Sequence, residues 1–299
     1  MQWEVWKDWM AEIGYVGSKG TKLINVYTLN QGTSPTTAPY TASGFSTNKA
    51  LNGFQMATTD ADSIYNSLQA SMTKRFSSGL QFLASYTFSK TIDDASGAPT
   101  NEFAAVPGDQ QNRRSNRALS DFDRPSRLVV SGTYDLPRFY RGNSATASSV
   151  INNWQLGTVA TLQSGTPFSV FCVSGSALYN RADLLSTSAA RSGSVESRLN
   201  QYFNPSAFSS TCANVAPFGT SGRNILRGPD QRNFDISIVK SFPIAEKSKL
   251  EFRSEFFNAF NRVNFANPNN NVLVPATLGV INSAATGPRV IQFALKASF

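Results

Sequence analysis

The chain ends in VIQFALKASF, residues Val290 to Phe299, and this stretch decides the fold class. Apolar and polar side chains alternate along it, and successive side chains of a β-strand point to opposite faces. The residues of the apolar face are Ile291, Phe293, Leu295, Ala297 and Phe299. The residues of the opposite face are Val290, Gln292, Ala294, Lys296 and Ser298. One face suits lipid and the other suits a water-filled lumen, so the stretch predicts a transmembrane β-strand.

The same period-2 alternation recurs upstream of this strand, over segments of about 8 to 14 residues. The predicted strands are Ile64 to Phe76, Leu80 to Phe88, Arg127 to Leu136, Trp154 to Gln163, Asn233 to Phe242 and Leu250 to Phe260. One or two more are expected between Gln2 and Val16. Together with the terminal strand, this predicts an all-β chain with about nine antiparallel strands.

The composition narrows the class of protein. Of the 299 residues, 40% are hydrophobic and 15% are charged, whereas about a quarter are charged in a soluble domain. No stretch reaches the roughly 18 apolar residues of a membrane helix. A membrane protein of this kind has to be a β-barrel, because only helices and closed barrels satisfy the backbone in lipid. The net charge of +8 is scattered along the chain, which argues against a nucleic-acid partner.

Short and long connections alternate between the predicted strands. The short or medium ones are 76–79, 137–149 and 243–249, and the long ones are 17–62, 91–123, 164–232 and 261–288. Outer-membrane barrels combine short periplasmic turns with long extracellular loops. Phe299 is therefore expected at the periplasmic side. Lys74 and Lys240 then fall on the lipid face near periplasmic strand ends, where a lysine is expected to snorkel to the headgroups.

No catalytic, cofactor-binding or metal-binding residue is predicted, and the chain is expected not to be an enzyme. It contains no His, which excludes His-dependent catalysis. For the pairs Asp60, Asp62 and Asp93, Asp94, solvated loop carboxylates are favoured over a cation site. The two cysteines, Cys172 and Cys212, fall in one long connection, where a disulfide and two separate thiols are about equally plausible.

Three further groups of residues have a structural and a functional interpretation, and the structural interpretation is favoured for each. Glu251 and Glu255 share a face with Arg253, which favours ionised carboxylates in a charge ladder over a glycosidase pair. The glycines of the second group, Gly219, Gly222 and Gly228, lack the ending of a phosphate loop, so loop geometry is favoured. The third group consists of aromatic residues in a long connection: Tyr179, Tyr202, Phe203 and Phe208. They could contact a sugar, but they are expected to pack within the loop.

Several stretches together resemble a known family. They are Gly14 to Gly20 (GYVGSKG), Ser85 to Asp94 (SYTFSKTIDD), Ser120 to Pro137 (SDFDRPSRLVVSGTYDLP), Asn153 to Val170 (NWQLGTVATLQSGTPFSV), Phe218 to Phe242 (FGTSGRNILRGPDQRNFDISIVKSF), Leu250 to Phe265 (LEFRSEFFNAFNRVNF) and Gly287 to Phe299 (GPRVIQFALKASF). In this order they are similar to the β-barrel of TonB-dependent receptors. The resemblance is to the Oar-like group, which carries a carboxypeptidase-regulatory-like N-terminal domain and is common in Acidobacteria.

The resemblance implies that residues 1–299 form the C-terminal portion of an antiparallel, up-and-down transmembrane β-barrel. Such transporters have about 22 strands around a plugged lumen, so about nine strands are part of a larger barrel. The plug, the TonB box and the N-terminal domain are absent from the sequence. Residues 1–9 do not form a signal peptide, and the true N-terminus is expected to be missing. An isolated chain with open sheet edges is expected to aggregate in water.

The resemblance also implies a function in the outer membrane, namely TonB–ExbB–ExbD-driven uptake of a bulky nutrient such as a siderophore, an oligosaccharide or a peptide. The alternatives are a structural or adhesive surface protein, a passive porin and, more remotely, a soluble sugar-binding β-protein. The expected partners are outer-membrane lipid, an unidentified extracellular ligand and, in the intact protein, the TonB complex. The barrel assembly machinery is expected to recognise the terminal strand through Phe299, Leu295, Phe293 and Ile291.

Overall fold

The computed structural model of the chain describes residues 1–28, 55–96, 109, 112–172, 180–211, 218–245 and 248–299. Strands dominate these ranges. The strands are β1 (Gln2–Trp6), β2 (Trp9–Thr28), β3 (Gln55–Ser77), β4 (Leu80–Asp93), β5 (Ala118–Leu119), β6 (Ser126–Asp135), β7 (Trp154–Gln163), β8 (Pro167–Phe168), β9 (Phe171–Cys172), β10 (Asn180–Arg181), β11 (Leu226–Arg227), β12 (Gln231–Ala245), β13 (Ser248–Phe257) and β14 (Val290–Ser298). The helices are α1 (Arg113–Asn116) and α2 (Ala145–Ile151), with 3-10 turns at Glu196–Arg198 and Pro205–Ala207. In the described part of the chain, no helix is long and apolar enough to cross a membrane.

One large antiparallel sheet contains the long strands, in the order β1-β2-β3-β4-β6-β7-β12-β13-β14. Each strand pairs with the next long strand along the chain, and β5 adds a short pairing to β4. The predicted up-and-down arrangement of about nine antiparallel strands is confirmed. The sheet does not close, since among the described strands β1 and β14 each pair on one side only. It is therefore part of a barrel wall.

The two faces of the sheet differ sharply in polarity, as the alternation predicts. Residues opposite each other in an antiparallel pair lie on the same face. Phe252 pairs with Leu295, and its ring stacks on Phe293 with a centroid distance of 6.0 Å. On the other face Glu251 pairs with Lys296. We call these faces the lipid face and the luminal face.

A charge ladder lies on the luminal face of β13. Lys249 Nζ is 3.2 Å from a carboxylate oxygen of Glu251, and Arg253 is 3.5 Å from Glu255. Opposite charges alternate along this face, so the structure agrees with the charge-ladder interpretation of Glu251 and Glu255.

Strands β2 and β3 extend well beyond the predicted boundaries. They contain 20 and 23 residues, whereas the sequence predicted a loop over 17–62. That prediction is wrong for the described residues on both sides of 29–54. At about 3.3 Å per residue and a tilt of about 40°, 20 residues rise roughly 50 Å, twice the height of the apolar band of a barrel. The upper part is a hairpin that stands above the membrane, and the buried Val26 and Ala61 pack within it.

The tight turns lie at the end of the sheet where Phe299 lies. Lys7 and Asp8 join β1 to β2, and Ser78 and Gly79 join β3 to β4. Ser78 and Gly79 both have positive φ, 51° and 79°, as a two-residue hairpin turn with the right twist requires. Because periplasmic turns are the short ones in this class, this is the periplasmic end of the sheet.

Lys74 and Lys240 do not reach outward to the headgroups, and the snorkelling prediction is wrong. Their exposed fractions are 8% and 2%. Lys74 Nζ donates to the carbonyl and hydroxyl oxygens of Ser77 at 3.0 and 2.7 Å, and Lys240 Nζ donates to the carbonyl of Asn152. Each amine donates to a carbonyl of a periplasmic connection, so each lysine caps that connection instead.

A tryptophan covers each of these two capping lysines. The Nζ atom of Lys74 lies 5.9 Å from the ring centroid of Trp9, and that of Lys240 lies 5.1 Å from the ring centroid of Trp154. Each tryptophan is the direct cross-strand partner of its lysine. The same cation–π contact therefore occurs twice in the wall, between β2 and β3 and between β7 and β12.

Candidate functional site

The described connections at the extracellular end form a compact unit, which we call the extracellular cap: residues 164–172, 180–211, 218–230 and 258–289. It contains the apolar core of the protein, whose buried members are Phe168, Val170, Cys172, Ala182, Ala189, Tyr202, Phe203, Ala207, Phe208, Leu226, Val272, Leu278 and Ile281. Phe203 lies at its centre, 5.9 Å from the ring of Phe168 and 5.7 Å from that of Phe208. A packed core means that these connections have a defined structure that can position side chains.

Arg223 joins the cap to the connection that follows β4. Its guanidinium donates to Asp93 Oδ1 at 2.6 Å, to the Ser96 hydroxyl at 2.6 Å and to the Asn116 carbonyl at 2.8 Å. The side chains of Arg223 and Asp93 are each only 7% exposed. A buried guanidinium needs this many acceptors, since an unpaired buried charge is strongly unfavourable.

Arg227 makes a second junction of the same kind. It donates to Asp123 Oδ2 at 2.6 Å and to the Gly165 carbonyl at 2.7 Å. Asp123, whose side chain is 2% exposed, also accepts from the backbone N–H of Thr91 at 2.7 Å. The Asp123 carboxylate therefore joins strand β4, through Thr91, to the cap, through Arg227. We call Arg223, Arg227 and their partners the arginine network.

Arg113 extends this pattern to the hairpin above the membrane. It contacts Asp94 at 2.6 Å and Asp62 at 3.4 Å. Nearby, the Tyr27 hydroxyl donates to Asp60 at 2.6 Å. Burial, together with the hydrogen bond to the Asp60 carboxylate, raises the pKa of Tyr27 to about 12. Burial by itself would raise the pKa of Asp60, but the hydrogen bonds it accepts keep that pKa below its ordinary value.

A cavity of about 280 Å³ opens between the arginine network and the cap. Its lining includes Phe168, Arg181, Arg223, Asn267 and Asn270. Burial, followed by repulsion from Arg223, lowers the pKa of Arg181. Asp121, whose side chain is 51% exposed, adds a carboxylate to the lining. Guanidinium, amide and carboxylate groups beside an aromatic ring are suited to a hydroxyl-rich ligand.

The predicted aspartate pairs fall within or beside this network. Asp93 and Asp94 are each 5% exposed, so the favoured interpretation as solvated loop carboxylates is wrong for them. Asp60 and Asp62 are strand residues of β3, only partly exposed, and they accept from Tyr27 and Arg113. Within the described ranges, no cluster of three or more His, Cys, Asp or Glu side chains could hold a metal ion.

The described glycines and aromatic residues noted in the sequence lie in places that give them a structural role. Gly219 has φ +78°, and an added Cβ there would overlap the Arg181 carbonyl, which supports loop geometry. Tyr202, Phe203 and Phe208 are buried in the cap core, so the packing interpretation is confirmed for them. Tyr179 lies outside the described residues.

Cys172 is 2% exposed in the cap core and is disulfide-bonded. Cys212 lies outside the described residues, and the pairing of the two cysteines stays a prediction.

Sequence reasoning missed Arg181, Arg223 and Arg227 because it treated the charges of the long connections as scattered. A signal was present in two of the stretches that carry the family resemblance, Ser120 to Pro137 and Phe218 to Phe242. These stretches meet in the structure, where Asn224 Nδ2 donates to Asp121 at 2.6 Å and Arg227 pairs with Asp123.

The proposed assembly residues Ile291, Phe293 and Leu295 lie in the edge strand β14 and are 45%, 66% and 67% exposed. Phe299 follows the strand and is 94% exposed. Their accessibility suits recognition by the assembly machinery, and their role stays a prediction.

We expect replacement of Phe299 by Ala to lower the amount of assembled protein in the outer membrane severalfold. The reason is that the change removes the aromatic side chain proposed to be recognised. Quantitative immunoblotting of outer-membrane fractions measures this, and Ser298→Ala is the matched control. Equal assembly of both variants would contradict the proposed role of Phe299.

An antiparallel wall with one apolar and one polar face, capped at its extracellular end, defines a β-barrel membrane protein. The chain matches the sequence model of the outer membrane beta barrel domain over residues 1–292 and belongs to that family. It is an outer-membrane protein. No curated protein matches the chain.

Among solved structures, the chain is similar to the outer membrane transporter YddB from Escherichia coli, with a TM-score of 0.52 and 9% sequence identity. The likeness covers 99% of this chain and 31% of that one. The chain thus spans less than a third of the length of YddB. At 9% sequence identity, this similarity shows that the two chains share a fold.

Proposed function

We propose that the chain forms part of the barrel wall of a TonB-dependent transporter of the Oar-like group. In the intact protein this transporter takes up a bulky nutrient, such as a siderophore, an oligosaccharide or a peptide. The observation that carries the proposal is the polar cavity of about 280 Å³ held over a polar luminal wall by the arginine network. The fold likeness to a transporter supports the same class.

The proposed roles of the parts follow from their positions. The cap contacts the nutrient at the cell surface through polar groups that line its cavity, such as the amides of Asn267 and Asn270. The luminal face, with its charge ladder on β13, lines the passage. The TonB complex supplies energy to the intact protein, and the assembly machinery inserts the wall through its terminal strand. We propose no catalytic step and no nucleic-acid partner for this chain.

Uptake measurements in cells that express the intact gene test the proposal. A panel of labelled ferric siderophores, oligosaccharides and peptides is supplied to wild-type cells, to cells lacking the gene and to cells lacking TonB. We expect one compound to accumulate only when both the gene and TonB are present. Uptake that needs the gene but not TonB would indicate a passive porin. Loss of surface attachment, without any change in uptake, would indicate the adhesive alternative.

A further inference from the structure

The charged residues of the lipid face all carry the same sign. In the described strands this face carries Lys19, Lys74, Lys90, Arg232 and Lys240, and no Asp or Glu between the periplasmic turns and the level of Lys19. The acidic residues of the same part of the wall lie on the luminal face: Glu4, Glu12, Asp135, Asp235, Glu251 and Glu255. Lys74 and Lys240 are buried, so the charges that the described strands present to the lipid are Lys19, Lys90 and Arg232, which are all positive.

Lys19 and Lys90 lie at the level of the outer headgroups. Each is ten residues along the chain from the periplasmic start of its strand, Trp9 for β2 and Leu80 for β4. Ten residues at about 3.3 Å each, tilted by about 40°, rise roughly 25 Å, which is the height of the apolar band. Lys74 and Lys240 differ, because they are buried at the periplasmic end and cap turns there.

Lys19 and Lys90 lie on the two strands that flank β3, which carries the amide side chain of Asn66. Asn66 of β3 pairs directly with Lys90, while Lys19 pairs with Ile64 of the same strand. Tyr15 donates its hydroxyl hydrogen to Asn66 Oδ1 at 2.7 Å, which leaves Asn66 Nδ2 directed to other acceptors. Lys19, Asn66 and Lys90 are all exposed. Within the described structure, no carboxylate lies within 4.0 Å of either lysine.

Apolar side chains continue from this polar group towards the membrane. Leu68 and Phe88 pair with each other one step below, and they are 47% and 57% exposed. A cavity of about 570 Å³ has Tyr15, Asn66, Leu68, Phe88 and Lys90 among its lining residues. It also reaches Asp123, whose carboxylate is paired with Arg227 and not with either lysine. The site combines cationic and amide donors at headgroup level with an apolar surface below them.

From this arrangement we infer a binding site for one phosphate-bearing lipid of the outer leaflet. Lys19, Lys90 and Asn66 Nδ2 bind the phosphate oxygens, and an acyl chain packs along Leu68 and Phe88. Charge complementarity selects a phosphate headgroup, since basic side chains beside a membrane attract anionic lipid. The apolar surface below selects an attached acyl chain over free phosphate.

The test uses the full chain in neutral detergent micelles, with bound lipid counted by native mass spectrometry. The probes are diphosphorylated lipid A, the same lipid with its phosphates removed, and inorganic phosphate. We expect one lipid A to bind, more weakly as salt rises, and the other two probes not to compete. Competition by inorganic phosphate would overturn the lipid assignment. Equal binding of the dephosphorylated lipid would overturn the role of the phosphate.

Variants identify the site. We expect Lys19→Gln/Lys90→Gln to weaken lipid A binding about 30-fold, from the usual contribution of a basic side chain near anionic lipid, and Lys19→Arg/Lys90→Arg to retain it. The matched control, Lys249→Gln/Lys296→Gln, removes two lysines of the luminal face and should bind as wild type. An equal loss in the control, or no loss in the first variant, would overturn the site. If the Gln variant does not fold, the comparison of the three probes on the wild-type chain decides.

Discussion

Replacement of Arg223 by Ala is expected to destabilise the extracellular cap by about 3–5 kcal/mol, the usual effect of removing one partner from a buried ion pair. The guanidinium is 7% exposed and satisfies Asp93, Ser96 and the Asn116 carbonyl at once. Without it, the Asp93 carboxylate stays buried with no cation. We expect a lower temperature of thermal unfolding in detergent and faster cleavage of the cap by protease added to whole cells.

Arg114→Ala is the matched control for this prediction. Arg114 lies in the connection that follows β4, the one that Arg223 contacts, and is exposed, so its loss should change stability by no more than about 0.5 kcal/mol. Arg223→Lys should be intermediate, because one ammonium cannot reproduce the planar fork of the guanidinium. The prediction fails if Arg223→Ala and Arg114→Ala unfold at the same temperature and are cleaved at the same rate.

A double-mutant cycle separates the ion pair from the other contacts of Arg223. Asp93→Ala alone leaves the Arg223 guanidinium buried without its carboxylate. Both single substitutions therefore remove the same interaction. The double variant should therefore be less destabilised than the sum of the two single variants. Strict additivity would mean that Arg223 acts through Ser96 and Asn116, and not through Asp93.

The sheet could be predicted from the sequence because lipid imposes a strict rule on it. Each membrane-spanning strand must present apolar residues to one side, and this gives the alternation from Val290 to Phe299. Above the membrane the rule no longer applies. Asp60 and Asp62 interrupt any apolar pattern, although backbone pairing with β2 and the Tyr27–Asp60 hydrogen bond keep this part of β3 in a strand. The length of β2 and β3 was missed for this reason.

The arginine network could not be predicted from local sequence, because its partners lie far apart along the chain. Arg223 and Asp93 are separated by 130 residues. Asp93 is the last residue of β4 and Arg223 lies in a polar connection, and charges at such positions are ordinarily solvated. Only the packing of the cap against the strand ends excludes water from the pair. The partners of Lys74 and Lys240 were missed for a related reason, because a turn carbonyl within reach of an amine is not visible in the residue pattern.

Arginine should be destabilising at position 293 and tolerated at position 292, which tests the assignment of the two faces on adjacent residues. Phe293 lies on the lipid face near the middle of β14, and it is 66% exposed. An arginine at the bilayer midplane costs about 2–4 kcal/mol. We expect Phe293→Arg to lower the denaturant concentration at which the chain unfolds from bilayer vesicles, and to lower its amount in the outer membrane.

Gln292→Arg is the matched control, with the same new residue one position away. Gln292 pairs with Glu255 on the luminal face, so the new guanidinium gains a carboxylate neighbour in a polar environment. Its effect should be near zero or slightly stabilising, since exposed ion pairs contribute between about 0 and 1 kcal/mol. Equal losses from the two arginines would mean that lipid contacts both faces of β14. A larger loss from Gln292→Arg would reverse the faces, and with them the lipid site at Lys19 and Lys90 and the polar passage along β13.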